Sequence, residues 1–164
     1  MASQDKKVAV VTGSSAGIGN VTALALARNG FLTYATMRNL GKSEEIKSLA
    51  AKEKLPIRVT QLDVTDENSI KSAIQSILSE AGRIDVLVNN AGYGLAGAFE
   101  DLSMEELKTQ YETNVFGLAR VTQAVLPAMR KQGSGKIINI SSGQAGLVTL
   151  EVRHMSVPSL PSKD

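Results

Sequence analysis

The chain has 164 residues, of which 43% are hydrophobic and 21% charged, as expected for a single globular domain with a sizeable core. Its formal net charge is only +2 and its basic residues are interspersed with acids, which argues against a nucleic-acid-binding protein. The chain contains no cysteine, which excludes disulfides, and its single histidine argues against a metal site. No run of about eighteen apolar residues occurs, so we expect no membrane span and predict a cytoplasmic protein.

The first predicted elements are a buried strand, a glycine-rich turn and a helix. Residues 8–11 are small and apolar at every position, which is typical of a strand buried on both faces of a parallel sheet. Gly13, Gly17 and Gly19 follow, and then a segment with helical periodicity, 21–28. Glycine lets the backbone approach a ligand, and the first amides of a helix carry partial positive charge. The pattern predicts a phosphate-binding turn, although glycines can also end a strand for steric reasons alone.

The second predicted strand, 31–37, is followed by Arg38 and by no acid. In dinucleotide-binding folds an acid at this place binds the ribose hydroxyls, whereas an arginine accommodates a 2′-phosphate. A guanidinium can make paired, charge-assisted hydrogen bonds to phosphate. The sequence therefore favours NADP over NAD, and the alternative is that Arg38 is a solvated loop residue.

The next segments continue the alternation of helix and strand. A polar helix is predicted over 43–54, a third strand over 56–62, and an amphipathic helix that begins at Thr65. Asp63, at the end of the third strand, either accepts a hydrogen bond from the adenine amino group or caps the loop. The alternation predicts an α/β fold, a Rossmann-like doubly wound parallel sheet of about five strands with helices on both faces.

A fourth apolar strand, 84–88, runs into Asn89, Asn90, Ala91 and Gly92. Asparagines at a strand end can fix backbone geometry through side-chain hydrogen bonds, and small residues beyond them leave room for a flat ring. This strand end is therefore expected to border a ligand.

A long helix is predicted from Ser103, which forms a capping box with Glu106. Its predicted buried side comprises Leu107, Tyr111, Val115, Leu118, Val121, Thr122, Val125, Leu126 and Met129. Asn114 falls within this stripe, where it is either a hydrogen-bonded core asparagine or a functional residue. The fifth strand, 136–140, ends in two serines, Ser141 and Ser142, at the edge where such sheets bind ligands.

Together these motifs resemble the short-chain dehydrogenase/reductase family, in particular its NADP-preferring members. The matching residues are 12–19, Asp63, Val64, 89–92, Asn114 and 140–142, and the resemblance covers about residues 6 to 149. It implies that NADP is bound by Gly13, Ser15, Gly17, Ile18, Gly19, Arg38, Asp63, Val64, Asn89, Ala91 and Gly92. It also implies that Asn114 positions a water in a proton relay and that Ser142 hydrogen-bonds the substrate oxygen.

The chain departs from the family at the proton donor. The family has a tyrosine about thirteen residues after the serine and a lysine four residues later, where this chain has Met155 and Ser159. All three tyrosines of the chain precede Ser142. General-acid catalysis typically contributes about 10²- to 10⁴-fold in rate, so we expect turnover to be lost in this chain.

Two functions follow from the resemblance. The first is that of an NADP(H)-dependent oxidoreductase that interconverts a small-molecule alcohol and a ketone or aldehyde, as a homo-oligomer in the intact protein. The second is that of a non-catalytic dinucleotide-binding remnant or regulatory module. In the first, the Tyr-x-x-x-Lys motif that this chain lacks is supplied only by the intact gene.

The predicted domain boundary lies at residue 149. Residues 1–149 are predicted to form the dinucleotide-binding domain and 150–164 an irregular, flexible tail that contains two of the four prolines. A truncated or frame-shifted chain would explain this change, and a genuine short protein is the alternative. The sheet would then be incomplete at its C-terminal edge, with strand 137–140 unprotected and the long helix uncovered, so we expect marginal stability.

Overall fold

A six-stranded sheet lies at the centre of the structure, a computed structural model that describes residues 6–95, 97–141 and, as backbone alone, 148–153. The strands are β1 (Val8–Val11), β2 (Leu32–Met37), β3 (Ile57–Gln61), β4 (Val86–Asn89), β5 (Ser134–Asn139) and β6 (Val148–Arg153). Their order is β3-β2-β1-β4-β5-β6, and β1 to β5 are parallel. The predicted doubly wound parallel sheet is confirmed, with small shifts at the ends of its strands.

Helices lie on both faces of this sheet. They are α1 (Gly17–Arg28), α2 (Glu44–Glu53), α3 (Glu67–Ala81), α4 (Met104–Tyr111) and α5 (Leu118–Gln132), and a π-helical segment, Glu112–Gly117, joins α4 to α5. Short 3₁₀ turns occur at Leu40–Lys42 and Phe99–Asp101. Within the described ranges, no helix combines the length and the apolar composition that a membrane span requires.

The side chains of β1 divide the core into two layers. Val8 and Val10 belong to the cluster that α3 and α5 cover, whereas Ala9 and Val11 belong to the cluster that α1 and α2 cover. Successive residues of a strand point to opposite faces of the sheet. An apolar residue at every position of β1 is therefore buried, which explains the uninterrupted apolar run in the sequence.

Helix α3 begins one residue later than predicted. Asp66 caps it, because its Oδ1 accepts hydrogen bonds from the backbone N–H groups of Asn68 and Ser69, at 2.8 and 3.2 Å. Thr65, the predicted first residue, instead donates its hydroxyl hydrogen to Asp63. A carboxylate at the N-cap also interacts favourably with the positive end of the helix dipole.

The predicted capping box at the start of α4 is confirmed. Ser103 Oγ accepts a hydrogen bond from the N–H of Glu106 at 3.2 Å, and Glu106 Oε2 accepts one from the N–H of Ser103 at 2.9 Å. Glu106 Oε2 also accepts the hydroxyl hydrogen of Ser103. These hydrogen bonds, the one from the hydroxyl first, hold the pKa of the Glu106 carboxyl below its usual range.

The predicted single long helix is interrupted, and two of its predicted buried residues are exposed. Tyr111 and Val115 are 56% and 46% exposed, whereas Val121, Val125 and Met129 of α5 are buried as predicted. A π-helical turn contains more residues than an α-helical turn, so a stripe drawn with the α-helical period does not continue across it. The apolar stripe of α5 therefore does not extend into α4.

The predicted unprotected edge at β5 is not observed. Strand β6 pairs antiparallel with β5, from Ser134 opposite Arg153 to Asn139 opposite Val148. The predicted boundary at residue 149 falls inside this strand, and an irregular tail from residue 150 does not describe 150–153. Residues 148–153 alternate apolar and polar side chains, and a strand edge presents unpaired N–H and C=O groups that such a segment can pair with.

Candidate functional site

A cleft of about 1280 Å³ lies at the carboxyl ends of the parallel strands. Strand β1 lies between β2 and β4 there, and doubly wound sheets bind ligands where the strand order reverses in this way. The predicted site residues that line the cleft are Gly13, Ser15, Ile18, Arg38, Asp63, Val64, Asn89, Ala91, Gly92 and Asn114. Gly17 and Gly19 lie in the first turn of α1 and do not line the cleft. The predicted catalytic residue Ser142 lies outside the described residues.

The turn between β1 and α1, together with the first turn of α1, has conformations and contacts that favour glycine. Gly13 and Gly17 have φ angles of +67° and +58°, in the left-handed region that other residues rarely adopt. A Cβ atom at Gly13 would lie 2.8 Å from the Cα atom of Ala91, and one at Gly19 would overlap the side chain of Asn90. Gly13 therefore lies directly against the backbone that follows β4, and Gly19 lies against the side chain of Asn90.

The first turn of α1 has no side-chain cap. Ala16 occupies the N-cap position, and no acid occurs in the first turn of the helix. Helices α3 and α4, by contrast, begin at the capping side chains of Asp66 and Ser103. The first N–H groups of a helix have no partner within the helix and carry partial positive charge. The uncapped start of α1 beside the cleft therefore fits an anionic phosphate group.

Thr12 and Asn90 join the ends of β1 and β4. The buried Thr12 Oγ1 accepts hydrogen bonds from the N–H groups of Asn90 and Ala91, at 2.9 and 3.0 Å. Asn90 Nδ2 donates to the carbonyl oxygens of Thr12 and Gly13, at 3.0 and 3.1 Å. Neither Thr12 nor Asn90 is among the predicted site residues, although they lie in the family motifs at 12–19 and 89–92. Their side chains hold the backbone that borders the cleft.

Asn89 connects three elements from the end of β4. Its Nδ2 donates to Thr122 Oγ1 of α5 at 3.0 Å and to Asn139 Oδ1 of β5 at 2.9 Å. Its Oδ1 is buried and has no hydrogen-bond partner among the residues that the structure describes. A buried acceptor without a partner is energetically costly, so it offsets part of the stabilisation from the two donated hydrogen bonds.

Arg38 and Lys42 form the basic side of the cleft, beyond the end of β2. Both side chains are exposed, and neither forms an ion pair within the described part of the chain. The carbonyl oxygen of Arg38 accepts a hydrogen bond from Gln61 Nε2 at 3.2 Å, which ties this loop to β3. Lys42 is not among the predicted site residues. The sequence could have indicated it, because Lys42 is the second basic residue of the short loop that begins at Arg38.

Asp63 has the loop-capping role that was one of its two interpretations. Its Oδ1 accepts hydrogen bonds from both the N–H and the hydroxyl of Thr65, at 2.9 and 2.7 Å. Asp63 and Val64 also line the cleft, beyond the end of β3. The interaction of Asp63 with an adenine amino group stays a prediction.

Asn114 lies in the π-helical segment and holds the loop that follows β4. Its Oδ1 accepts a hydrogen bond from the N–H of Tyr93 at 3.1 Å, and its Nδ2 donates to the carbonyl oxygen of Tyr93 at 2.8 Å. A Cβ atom at Gly92 would lie 3.1 Å from Asn114 Oδ1, so the loop passes close to the helix. The side chain is therefore hydrogen-bonded and only partly buried, rather than part of the core stripe.

The tyrosines differ in their relation to the cleft. Tyr93 lines the cleft and Tyr111 is exposed on α4. Tyr34 lies in the core, and its burial raises the pKa of its hydroxyl to about 12.

The described ranges contain no cluster of three or more His, Asp or Glu side chains that could hold a metal ion. The polar groups of the cleft are thus backbone amides, side-chain amides, hydroxyls, the carboxylate of Asp63 and the two cations Arg38 and Lys42.

The sheet order, the glycine turn at its centre and the cleft at its carboxyl edge define a Rossmann-like domain of the kind that binds dinucleotides. Comparison with known families agrees with this class. The sequence profile described as short chain dehydrogenase matches residues 7–155, and the chain belongs to that family.

Individual relatives are similar over most of this chain. An uncharacterized oxidoreductase of Bacillus subtilis, YusZ, is 49% identical over 140 residues, which cover 84% of this chain and 49% of YusZ. A 3-ketodihydrosphingosine reductase of Bacteroides thetaiotaomicron is 42% identical over 140 residues, which cover 83% of this chain and 47% of that protein. The chain thus spans about half the length of these curated relatives.

Solved structures show the same fold. An actinorhodin polyketide ketoreductase, determined with NADPH, superposes with a TM-score of 0.82 at 34% sequence identity. The superposition covers 87% of this chain and 55% of the ketoreductase.

Proposed function

We propose that this chain binds NADP(H) in the cleft and corresponds to the nucleotide-binding part of an oxidoreductase that interconverts an alcohol and a ketone or aldehyde. The main supporting observation is that the glycine turn and Arg38 line one cleft, at the carboxyl ends of β1 and β2. NADP has two anionic groups, a pyrophosphate and a 2′-phosphate. The cleft offers one set of donors for each.

The pyrophosphate belongs at the start of α1. The uncapped N–H groups of its first turn supply donors and partial positive charge. Gly13, Gly17 and Gly19 keep side chains out of the turn, while Ser15 and Ile18 line the cleft beside it. The remaining cofactor-binding residues in the proposal are Asp63 and Val64 on the adenine side and Asn89, Ala91 and Gly92 on the nicotinamide side.

The 2′-phosphate belongs at Arg38. The guanidinium is exposed beside the cleft, and no carboxylate of the described ranges pairs with it. A planar guanidinium can donate two parallel hydrogen bonds to a phosphate. The 2′-hydroxyl of NAD offers no such charge, so this contact favours NADP(H).

The chemistry that NADPH supplies when bound is hydride transfer to a carbonyl carbon. Asn114 holds the backbone of Tyr93 beside the cleft. In an oxidoreductase with the complete catalytic set, we assign Asn114 to the proton relay and Ser142 to the substrate oxygen. Met155 and Ser159 stand where the family has its tyrosine and lysine, and Met155 has no proton to donate. We therefore expect this chain to bind the dinucleotide without turnover, which corresponds to the non-catalytic module.

Replacement of Arg38 tests the assignment of the 2′-phosphate. In Arg38→Asp the carboxylate repels a phosphate and can accept hydrogen bonds from ribose hydroxyls instead. We expect the NADPH affinity to fall by about ten- to a hundredfold and the NADH affinity to rise, because hydrogen bonds to charged groups contribute about 1.5–3 kcal/mol. Titration of both nucleotides by calorimetry measures the two dissociation constants.

Arg130→Asp is the matched control, since Arg130 is exposed on α5 and does not line the cleft. It makes the same change of charge and should alter neither dissociation constant. If Arg38→Asp leaves both constants unchanged, Arg38 does not bind the 2′-phosphate. NADPH oxidation by the unaltered chain with a panel of ketones and aldehydes tests the other part of the proposal, and turnover there would contradict the non-catalytic role.

A further inference from the structure

A second groove, of about 510 Å³, lies between helix α2 and the outermost strand of the sheet, β3. One face of α2 with its C-cap residue forms one wall, and the segment that enters β3 forms the other. None of the residues of this groove lines the larger cleft at the carboxyl ends of the strands. The groove is therefore separate from the proposed dinucleotide site, and the proposed function leaves it without a role.

The strand wall of the groove is an edge of the sheet. In the described part of the chain, β3 has one neighbouring strand, β2. The carbonyl oxygen of Pro56 and the N–H of Leu62 are hydrogen-bonded to β2, at 2.9 and 3.1 Å. Residues that face a neighbour alternate along a parallel strand, so the N–H and C=O groups of Val59 and Gln61 point away from β2. An edge of this kind can pair with a further extended chain.

The floor of the groove is aliphatic. Leu55, Ile57 and Val59 line it, and all three are partly buried against the core cluster that α1 and α2 cover. The guanidinium of Arg58 is hydrogen-bonded to Glu80 of α3 at 3.1 Å, on the other face of the sheet. The surface beside the strand edge is therefore suited to an apolar side chain of a ligand.

The helical wall of the groove carries two cations. Lys47 and Lys54 line it, are exposed, and lie seven residues apart, which corresponds to about 10 Å along a helix. No acid among the described residues lines the groove. Lys54 forms no ion pair in the described ranges, and Lys47 lies 3.9 Å from Glu44, in a pair of exposed groups that contributes little. The groove thus presents two separated positive charges beside an apolar floor.

We propose that this groove binds an extended peptide segment with acidic side chains, which adds to β3 as a further strand. Peptides are recognised at other sheet edges in this way, because main-chain hydrogen bonds supply affinity and alternate side chains supply specificity. Every second side chain of the added strand faces the groove, at intervals of about 7 Å. An acid, an apolar residue and an acid at three such positions place the apolar side chain on the floor and the carboxylates within reach of the two flexible lysines.

The strand edge and the two cations favour a peptide over a fatty-acid anion. A fatty-acid anion has an apolar chain and a negative charge, but it offers no N–H or C=O groups in series. It leaves the edge of β3 unpaired and neutralises only one of the two lysines. An acidic peptide satisfies the backbone edge, the floor and both charges together.

A suitable probe is the five-residue peptide fluorescein-Glu-Thr-Val-Thr-Glu-amide. In a strand, its glutamates and valine share one face and its threonines the other. Fluorescence anisotropy with the full chain measures its dissociation constant. We expect saturable binding that weakens with added salt, and at least tenfold weaker binding of the counterpart with lysines in place of the glutamates.

Three lysine variants test the charges of the groove. Lys47→Ala should weaken peptide binding about two- to fivefold, as expected for one exposed charge pair. Lys52→Ala is the matched control, because Lys52 is exposed on α2 without lining the groove, and it should leave the affinity unchanged. Lys54→Gly should weaken binding by a similar factor without lowering the thermal midpoint, since Lys54 has a φ of +54°, which glycine adopts readily.

Val59→Pro tests the addition of a strand. Proline removes the N–H that points away from β2 and is tolerated in edge strands, so the pairing of β3 with β2 is retained. We expect peptide binding to weaken about tenfold, while the thermal midpoint stays close to that of the unaltered chain. If this variant does not fold, the lysine variants, which leave the strand intact, decide the question.

Three results would overturn the inference. The first is an affinity for the peptide that neither Lys47→Ala nor Lys54→Gly changes, and the second is an unchanged affinity in folded Val59→Pro. The third is displacement of the peptide by decanoate at equal concentration, which would identify a site for anionic amphiphiles instead. Because the groove and the dinucleotide cleft share no residue, each of these results leaves the proposed function standing.

Discussion

At the scale of single residues, the cleft depends on side chains that hold backbone in place. Thr12 and Asn90 fix the turn after β1 against the end of β4, and Asn114 fixes the loop that follows. None of the three carries a charge. Their hydrogen bonds position the N–H groups and the small residues that border the cleft. Replacement of any of the three side chains should therefore lower both the free energy of unfolding and the affinity for a flat, anionic ligand.

Thr12→Val tests this role with almost no change in volume. The valine cannot accept hydrogen bonds, so the N–H groups of Asn90 and Ala91 lose their partner at a partly buried site. We expect the free energy of unfolding to fall by about 2 kcal/mol, since an unsatisfied buried donor costs about 1–3 kcal/mol. Urea unfolding followed by circular dichroism measures the difference, and NADPH binding should weaken in parallel.

Thr12→Ser is the control for this change, because it keeps the hydroxyl and removes only a methyl group. It should lie much closer to the unaltered chain than Thr12→Val does. Equal stabilities of the two variants would mean that the hydroxyl does not hold the end of β4.

At the scale of secondary-structure elements, the segment from α4 to α5 differs most from its sequence pattern. The π-helical segment contains Asn114 and ends at Gly117, where a Cβ atom would lie 2.7 Å from Cγ2 of Val64. The interruption thus brings the helix directly against the loop after β3. Because the apolar stripe does not continue into α4, the stability of α4 should depend on its own cap.

Ser103→Ala measures the contribution of that cap. The variant loses the acceptor for the N–H of Glu106, and we expect the free energy of unfolding to fall by about 1 kcal/mol. Ser76→Ala, at an exposed interior position of α3, is the matched control and should change it little or increase it slightly. A loss in the control as large as in Ser103→Ala would contradict a specific capping effect.

The capping box should also depend on pH. The pKa of Glu106 is lowered from its ordinary value of 4.5, first by the hydroxyl of Ser103 and then by its N–H. The stabilisation from the carboxylate is therefore fully present above pH 4.5 and is lost as the pH falls through the lower folded-state value. The stability advantage of the unaltered chain over Glu106→Gln should disappear in that range, and an advantage independent of pH would contradict this assignment.

At the scale of the whole molecule, the stability and the association of the chain depend on the sheet edge at β5 and on the exposed apolar residues around the π-helical segment. Strand β6 covers the edge of β5 that was predicted to be unprotected, so one of the two reasons for expecting marginal stability is removed. The other reason remains, because Met104, Tyr111, Val115 and Phe116 are exposed around the π-helical segment. An apolar surface of this kind favours association.

Two truncations test the contribution of β6. A chain that ends at residue 147 lacks the strand and exposes the N–H and C=O groups of β5, so we expect it to aggregate at lower temperature and lower concentration. A chain that ends at residue 153 keeps the strand and should behave as the full chain does. Light scattering during heating compares the three proteins, and indistinguishable aggregation of the two truncated chains would show that β6 does not protect the edge.

The amino-acid sequence alone was sufficient to predict the parallel α/β sheet, the capping box at Ser103 and the group of residues that line one cleft. These features depend on local patterns, since apolar runs, glycines and caps act within a few residues of the chain. Arg38 could be singled out because it directly follows a predicted strand. The same local reasoning placed Ser142 at the end of β5, outside the residues that the structure describes.

Only the tertiary structure decided which side chains meet across the sheet. The contact of Thr12 with Asn90 joins residues 78 positions apart. Asn114 is hydrogen-bonded to Tyr93 from within a π-helical segment that the α-helical period did not predict. The strand at 148–153 likewise forms because β5 offers an open edge, and the position of Lys42 beside Arg38 depends on the hydrogen bonds of its turn. Such contacts depend on the relative placement of elements, which local sequence patterns do not encode.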